Sequence, residues 1–82
     1  MTTSKMVTLI GKPGCHLCDD ARAVIERVAA ETGAAVTERD ITQDAELYDR
    51  YWEQVPVVLV DGERHTFWRV DEQRLRTALA AG

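Results

Sequence analysis

Residues 6–18 read MVTLIGKPGCHLC, and the order of their features decides the fold. Met6 to Ile10 is a continuous apolar-leaning run that stops at Gly11, the pattern of a short strand buried on both faces. Lys12-Pro13-Gly14 interrupts regular structure and reads as a loop. A helix follows, because Leu17, Ala21, Val24, Ile25 and Val28 fall on one face at helical spacing. Gly33 is suited to end that helix in a left-handed conformation. Cys15 and Cys18 stand where the loop turns into the helix.

Working outward, Ala35 to Ile41 alternates β-branched and charged residues and predicts a half-exposed strand. Thr42 is placed to cap a second, short helix that carries Leu47, Tyr48, Tyr51 and Trp52 on one face, and the aromatic residues among them are expected in the core. Val55-Pro56 then introduces Val57 to Val60, a second buried strand. Asp61-Gly62 is a strong hairpin signal, so Glu63 to Trp68 returns as a polar edge strand. Asp71 can cap a last helix, with Val70 and Leu75 as its hydrophobic staple and Leu75, Ala78 and Leu79 as its apolar face. The order β-α-β-α-β-β-α predicts an α/β fold: a four-stranded mixed sheet flanked by helices.

With 82 residues the chain is expected to form a single domain over 1–82. Its composition, 45% hydrophobic and 29% charged, is that of a globular chain and excludes a disordered tail or a fibrous repeat. The longest apolar stretch, Val55 to Val60, falls far short of the roughly 20 residues of a spanning helix. The polar start, Met1 to Met6, carries no secretory signal, so a cytoplasmic location and no membrane partner are expected. The 14 acidic residues outnumber the 10 Lys and Arg, and the basic residues Lys5, Lys12, Arg22, Arg27 and Arg39 are well spread. Nucleic acid is therefore not an expected partner.

The two cysteines close too small a loop for a stabilising cross-link, and their setting points to chemistry instead. The first turn of a helix offers free N–H groups and the positive end of the dipole, both of which stabilise a thiolate. A spacing of three puts the sulfurs on one side. Cys15, nearer the loop, is expected to attack, and Cys18, one turn in, to resolve the mixed disulfide. Lys12 either favours the thiolate or meets a substrate carboxylate, against the alternative of a solvated loop lysine. His16 favours the thiolate if protonated and is otherwise an exposed first-turn residue. Asp19 and Asp20 suit the helix dipole but place negative charge near the thiols, which raises a cysteine pKa. A metal within one chain has only His16 and His65 beyond the cysteines, whereas zinc takes about four ligands. The alternative function is thus a zinc or iron–sulfur carrier that shares two Cys-x-x-Cys pairs across a dimer.

The motifs together resemble the glutaredoxins of the thioredoxin superfamily. Lys12-Pro13-Gly14-Cys15-His16-Leu17-Cys18 between strand and helix is similar to a glutaredoxin active site, and Val55-Pro56 is similar to that family's cis-proline segment. The Asp61-Gly62 hairpin and terminal helix extend the resemblance over nearly the whole chain. It is nearest to a short bacterial glutaredoxin-like group with Cys-His-Leu-Cys, Val-Pro-Val and Asp-Gly in this order. The resemblance implies a thioredoxin-like (glutaredoxin-type) fold and a thiol–disulfide oxidoreductase that reduces protein or low-molecular-weight disulfides. It implies a cis Val55–Pro56 bond, with the Val55 backbone offered to an extended substrate beside Cys15. Lys12, His16, Val55, Pro56 and Asp71 are then the substrate-binding residues, Asp71 with Glu72 meeting the glutathione amino group. No tightly bound cofactor is implied. Glutathione is a possible co-substrate, the electron donor is glutathione or thioredoxin reductase, and the expected state is a monomer.

The chain departs from the glutaredoxin pattern at two places. Trp68 and Arg69 stand where a Gly-Gly turn usually precedes the last helix, a segment similar to the redoxins that serve ribonucleotide reductase and draw on thioredoxin reductase. Trp68 is expected to pack under that helix. Gln54 replaces the usual threonine before the Val-Pro pair. Leu9 occupies the position at which thioredoxins carry a buried aspartate, which again is closer to glutaredoxin.

Overall fold

A computed structural model of the protein describes residues 5–67 and 70–80. Its elements are β1 (Met6–Gly11), α1 (His16–Thr32), β2 (Ala35–Asp40), a 3-10 turn (Ile41–Gln43), α2 (Ala45–Tyr51), β3 (Val57–Val60), β4 (Glu63–Phe67) and α3 (Glu72–Ala80). The sheet order is β2-β1-β3-β4. β1 and β2 run parallel, and the other neighbours pair antiparallel. This is the predicted mixed sheet flanked by helices.

The burial of β1 organises the rest. Side chains of a strand alternate between the two faces of its sheet. Val7 and Leu9 meet Ala21, Ile25 and Val28 of α1, Val58 of β3, and Leu75 and Leu79 of α3. Ile10 lies in a second cluster with Ile41 and Val57, against which Leu47 and Tyr51 of α2 and Val55 pack. Both faces are thus covered over the second half of the strand, while on the face of Ile10 Thr8 is half-buried and Met6 is exposed.

Local signals end the elements where expected. Gly33 closes α1 at φ 78°, and its N–H donates to Ala29 O at 2.8 Å. Asp61 and Gly62 take φ values of 52° and 85°, the left-handed pair that turns β3 into β4. The Asp61 carboxylate also accepts the Met6 N–H at 2.9 Å, tying the hairpin to the start of β1. Asp71 caps α3 by accepting the Arg74 N–H at 3.1 Å, and Val70 packs on the cluster that contains Leu75.

The second helix differs from its expectation in two ways. Asp44, not Thr42, caps it, accepting the N–H groups of Glu46 at 3.0 Å and Leu47 at 3.2 Å. Thr42 lies in the preceding 3-10 turn, where Asp40 accepts both its N–H and its hydroxyl. That extra turn drops Ile41 into the core, so the helix starts later than Thr42 would allow. The aromatic residues divide as well. Leu47 and Tyr51 occupy the inward row, while Tyr48 and Trp52 are 47% and 52% exposed and stack on each other with centroids 6.5 Å apart. A helix of two turns has only one narrow row to bury. β2 is also more exposed than a half-buried strand, because it is the sheet's outer strand. Trp68, predicted at the end of the edge strand and beneath the last helix, lies outside the described residues, as does Arg69.

Charged side chains tie α1 to α3 at the surface. Glu72 accepts from Arg27 at 2.6 Å and Arg76 at 2.8 Å, and Arg76 also reaches Glu31 at 2.7 Å. Hydrogen bonds from Arg27 and Arg76 hold the Glu72 carboxyl down at about 2, against its ordinary 4.5. A depressed carboxylate contributes stability above its unfolded value and loses it as pH falls toward the folded one. Glu72→Gln is therefore expected to melt slightly below wild type at neutral pH, with the difference fading between pH 4.5 and about 2 in a melting series. In the core, Ile25→Ala is expected to lower stability by about 2–5 kcal/mol in urea denaturation, whereas Trp52→Ala stays within about 0.5 kcal/mol.

Candidate active site

β1 delivers the chain to the site at Gly11, and Gly14, at φ 73°, turns the loop into α1. Cys15 is the N-cap residue, extended at φ −98° and ψ 111°, and half-buried. Its sulfur accepts the Cys18 N–H at 3.1 Å, taking the place that a serine or aspartate oxygen fills in an ordinary cap. A sulfur so placed receives both an N–H and the positive end of the α1 dipole.

Cys18 is only 1% exposed. Burial first, and then its interaction with the Cys15 side chain, push its thiol up from 9.0 to about 11, against smaller opposing effects from the Lys12 backbone and Arg22. The expected source of such a rise, the charges of Asp19 and Asp20, is not what acts. Asp19 is instead ion-paired to Arg22 at 2.8 Å, and Arg22 also grips Glu38 of β2. The two sulfurs are thus differentiated: one is accessible and accepts an amide, the other is enclosed and keeps its proton.

The Val55–Pro56 bond is cis, as the resemblance implied. Ile10 pairs with Val57, so one further step of the antiparallel register sets Pro56 beside Gly11. Among the described residues neither the N–H nor the C=O of Val55 has a backbone partner. Phe67 also pairs with Val57, so the segment leading to Asp71 leaves from this same end of the sheet. The Asp71 carboxylate itself is engaged in capping α3. His16 is exposed at the first position of α1.

Lys12 is divided between two places. Its backbone acts on the Cys18 sulfur, where it opposes the rise in that thiol's pKa. Its other contacts line a cavity of 290 Å³ on the β2 side, with Pro13, Arg22, Arg39, Asp40 and Gln43. None of Cys15, Val55, Pro56 and Asp71 lines that cavity. Among the described residues no group of three or more His, Cys, Asp and Glu side chains converges as metal ligands. His65, considered as a ligand from sequence, has a buried Nε2 without a partner among the described residues, and burial lowers its pKa. The residue that sequence reasoning missed as part of the site is Gly11, which lies against the Cys18 side chain. Its only signal in the sequence is a glycine at the end of a buried strand, four residues before Cys15.

A sheet of this order, with Cys-x-x-Cys at the β1–α1 turn and a cis-proline before β3, defines a thioredoxin-fold protein. Within that class the chain belongs to the Glutaredoxin-like domain (DUF836) family, whose model matches residues 6–80. It is 32% identical over 79 residues to the uncharacterized Mycobacterium tuberculosis protein Rv0508, covering 90% of this chain and 81% of that one. The X-ray structure of XcR50 from X. campestris is similar at TM-score 0.75 and 34% identity, over 93% of this chain and 97% of that one. A Halobacterium salinarum thioredoxin variant is similar at TM-score 0.69 and 25% identity, over 96% of this chain and 74% of that one.

The difference between the sulfurs is measurable. Iodoacetamide at about pH 8 is expected to modify Cys15 alone, read by intact mass and peptide mapping. Labelling of Cys18 should become appreciable only as the pH approaches 11. Equal labelling of both sulfurs at pH 8 would contradict this assignment.

Proposed function

We propose that the protein is a small dithiol oxidoreductase that reduces protein or low-molecular-weight disulfides. The observation that carries this reading is the unequal pair: Cys15, half-buried at the helix start with an N–H on its sulfur, and Cys18, enclosed behind it. Cys15 as thiolate attacks one sulfur of R–S–S–R′, forms Cys15–S–S–R and releases R′S⁻. Cys18 then gives up its proton and attacks the Cys15 sulfur. The Cys15–Cys18 disulfide forms, and R leaves as its thiol. Two electrons pass from the protein to the substrate, and a donor must return them.

Several features support roles for the flanking residues. The Val55 backbone, without a backbone partner among the described residues and held by Pro56, is suited to align an extended substrate as an added strand. Lys12 supplies an exposed cationic group on the loop before Cys15, His16 an exposed polar group at the first position of α1, and Asp71 marks the start of α3 at the same end of the sheet. Glutathione or a thioredoxin reductase serves as donor in this reading, with glutathione as a co-substrate rather than a bound cofactor. The protein acts as a cytoplasmic monomer.

Two variants test the roles. Cys15→Ser should reduce disulfide exchange to the uncatalysed rate, while Cys18→Ser should accumulate a mixed disulfide with substrate, visible by mass as one covalent adduct. Full dithiol turnover by Cys15→Ser would overturn the reading. So would purification of the wild type with stoichiometric zinc or an iron–sulfur chromophore on these thiols, which belongs to the carrier alternative.

A further inference from the structure

We propose that Gly11 is a positioning residue for the resolving step: the missing side chain at the end of β1 is the space in which Cys18 holds its sulfur behind Cys15. This inference rests on the dithiol reading above and extends it to a residue with no chemistry of its own.

A glycine often answers a backbone demand, and here that explanation fails. Gly14, Gly33 and Gly62 have positive φ, but Gly11 does not. It lies in regular strand geometry, paired with Asp40 of β2, where any residue can stand. What the position does not tolerate is a Cβ. An ideal Cβ on Gly11 would lie 2.8 Å from Cys18 Sγ and 3.4 Å from Cys18 Cβ. The first distance is well inside the roughly 3.5–4.0 Å of an ordinary non-bonded contact.

Something must then move, and the surroundings choose the sulfur. The strand is pinned on both sides, Gly11 against Asp40 and Ile10 against Val57. The base of α1 is anchored by Ala21 and Ile25 in the main core. The thiol is the end of a short side chain with one rotatable bond. Turning it away from Gly11 gives up its contacts to the Cys15 sulfur and the Lys12 backbone. Those contacts hold it where it must be to attack Cys15. Resolution forms the Cys18–Cys15 bond, breaks the Cys15–R bond and sends the Cys18 proton to the departing RS⁻, so it needs the two protein sulfurs in near contact. The preceding attack by Cys15 on the substrate does not involve the Cys18 sulfur. A side chain at position 11 should therefore slow the second step and spare the first.

The test is a single-turnover reaction of Gly11→Ala with an aromatic disulfide whose thiolate is coloured. The first equivalent of colour reports attack and the second reports resolution. The expected result is a first phase within about twofold of wild type and a second phase slowed roughly 10- to 100-fold, with the mixed disulfide on Cys15 caught by intact mass. An unchanged second phase, or both phases slowed alike, overturns the inference. Absence of a first phase in the wild-type protein instead defeats the dithiol reading itself. Melting temperatures supply a measurement independent of turnover. Gly11→Ala should lower the melting temperature by about 5 °C in the wild-type background, and by much less when Cys18→Ala has removed the sulfur. An equal loss in both backgrounds would show that the sulfur is not what the new methyl group meets.

Discussion

The second half of β1 is enclosed on both faces, and most of the molecule is arranged to enclose it. Val7 and Leu9 demand a cover on one side, which α1 and α3 supply together. Ile10 demands one on the other, which Ile41, Val57 and the inner row of α2 supply. Its own backbone is satisfied by a parallel partner on one edge and an antiparallel partner on the other. With every side taken, the end of the strand is held firmly, and the active-site loop begins there. The surface charges between α1 and α3 act on the same assembly from outside. Exposed ion pairs are individually weak, and they steady a packing already set by Ile25, Val28, Leu75 and Leu79.

The site uses this rigidity to make two identical side chains unlike. Cys15 and Cys18 are one helical turn apart, yet one caps the helix and the other faces β1. The cap position supplies an N–H and the helix dipole. The inner position supplies desolvation, which disfavours charge. No charged neighbour is needed for the contrast, and the acidic residue next in sequence is turned to Arg22 instead. A half-buried sulfur that accepts an amide and an enclosed one thus follow from where α1 begins relative to the sheet.

Much of this is legible in the sequence. The apolar run of β1, the helical face of α1, the Gly33 stop, the Asp61-Gly62 turn and the Asp71 cap are local, and local rules read them. The start of α2 is not, because Thr42 and Asp44 are both good caps in sequence. The choice depends on Ile41 entering the core, which is a tertiary event. Which aromatic residues of α2 the core takes is a tertiary matter as well. A hydrophobic row can be counted from the sequence, but how many rows the partner surface can cover cannot.

The amino-acid sequence by itself determined the order of elements, the thioredoxin-like class and the place of the two cysteines at the β1–α1 turn, because spacing and turn residues act over a few positions along the chain. Only the tertiary structure decided what each group meets. It set Pro56 beside Gly11, left the Val55 backbone unpaired among the described residues, and turned Lys12 partly toward a cavity on the β2 side. It also put Gly11 against the Cys18 side chain, in strand geometry rather than at a turn. These relations join residues that are remote in sequence or separated by a loop, and such a contact exists only once the strand and the helix have packed together.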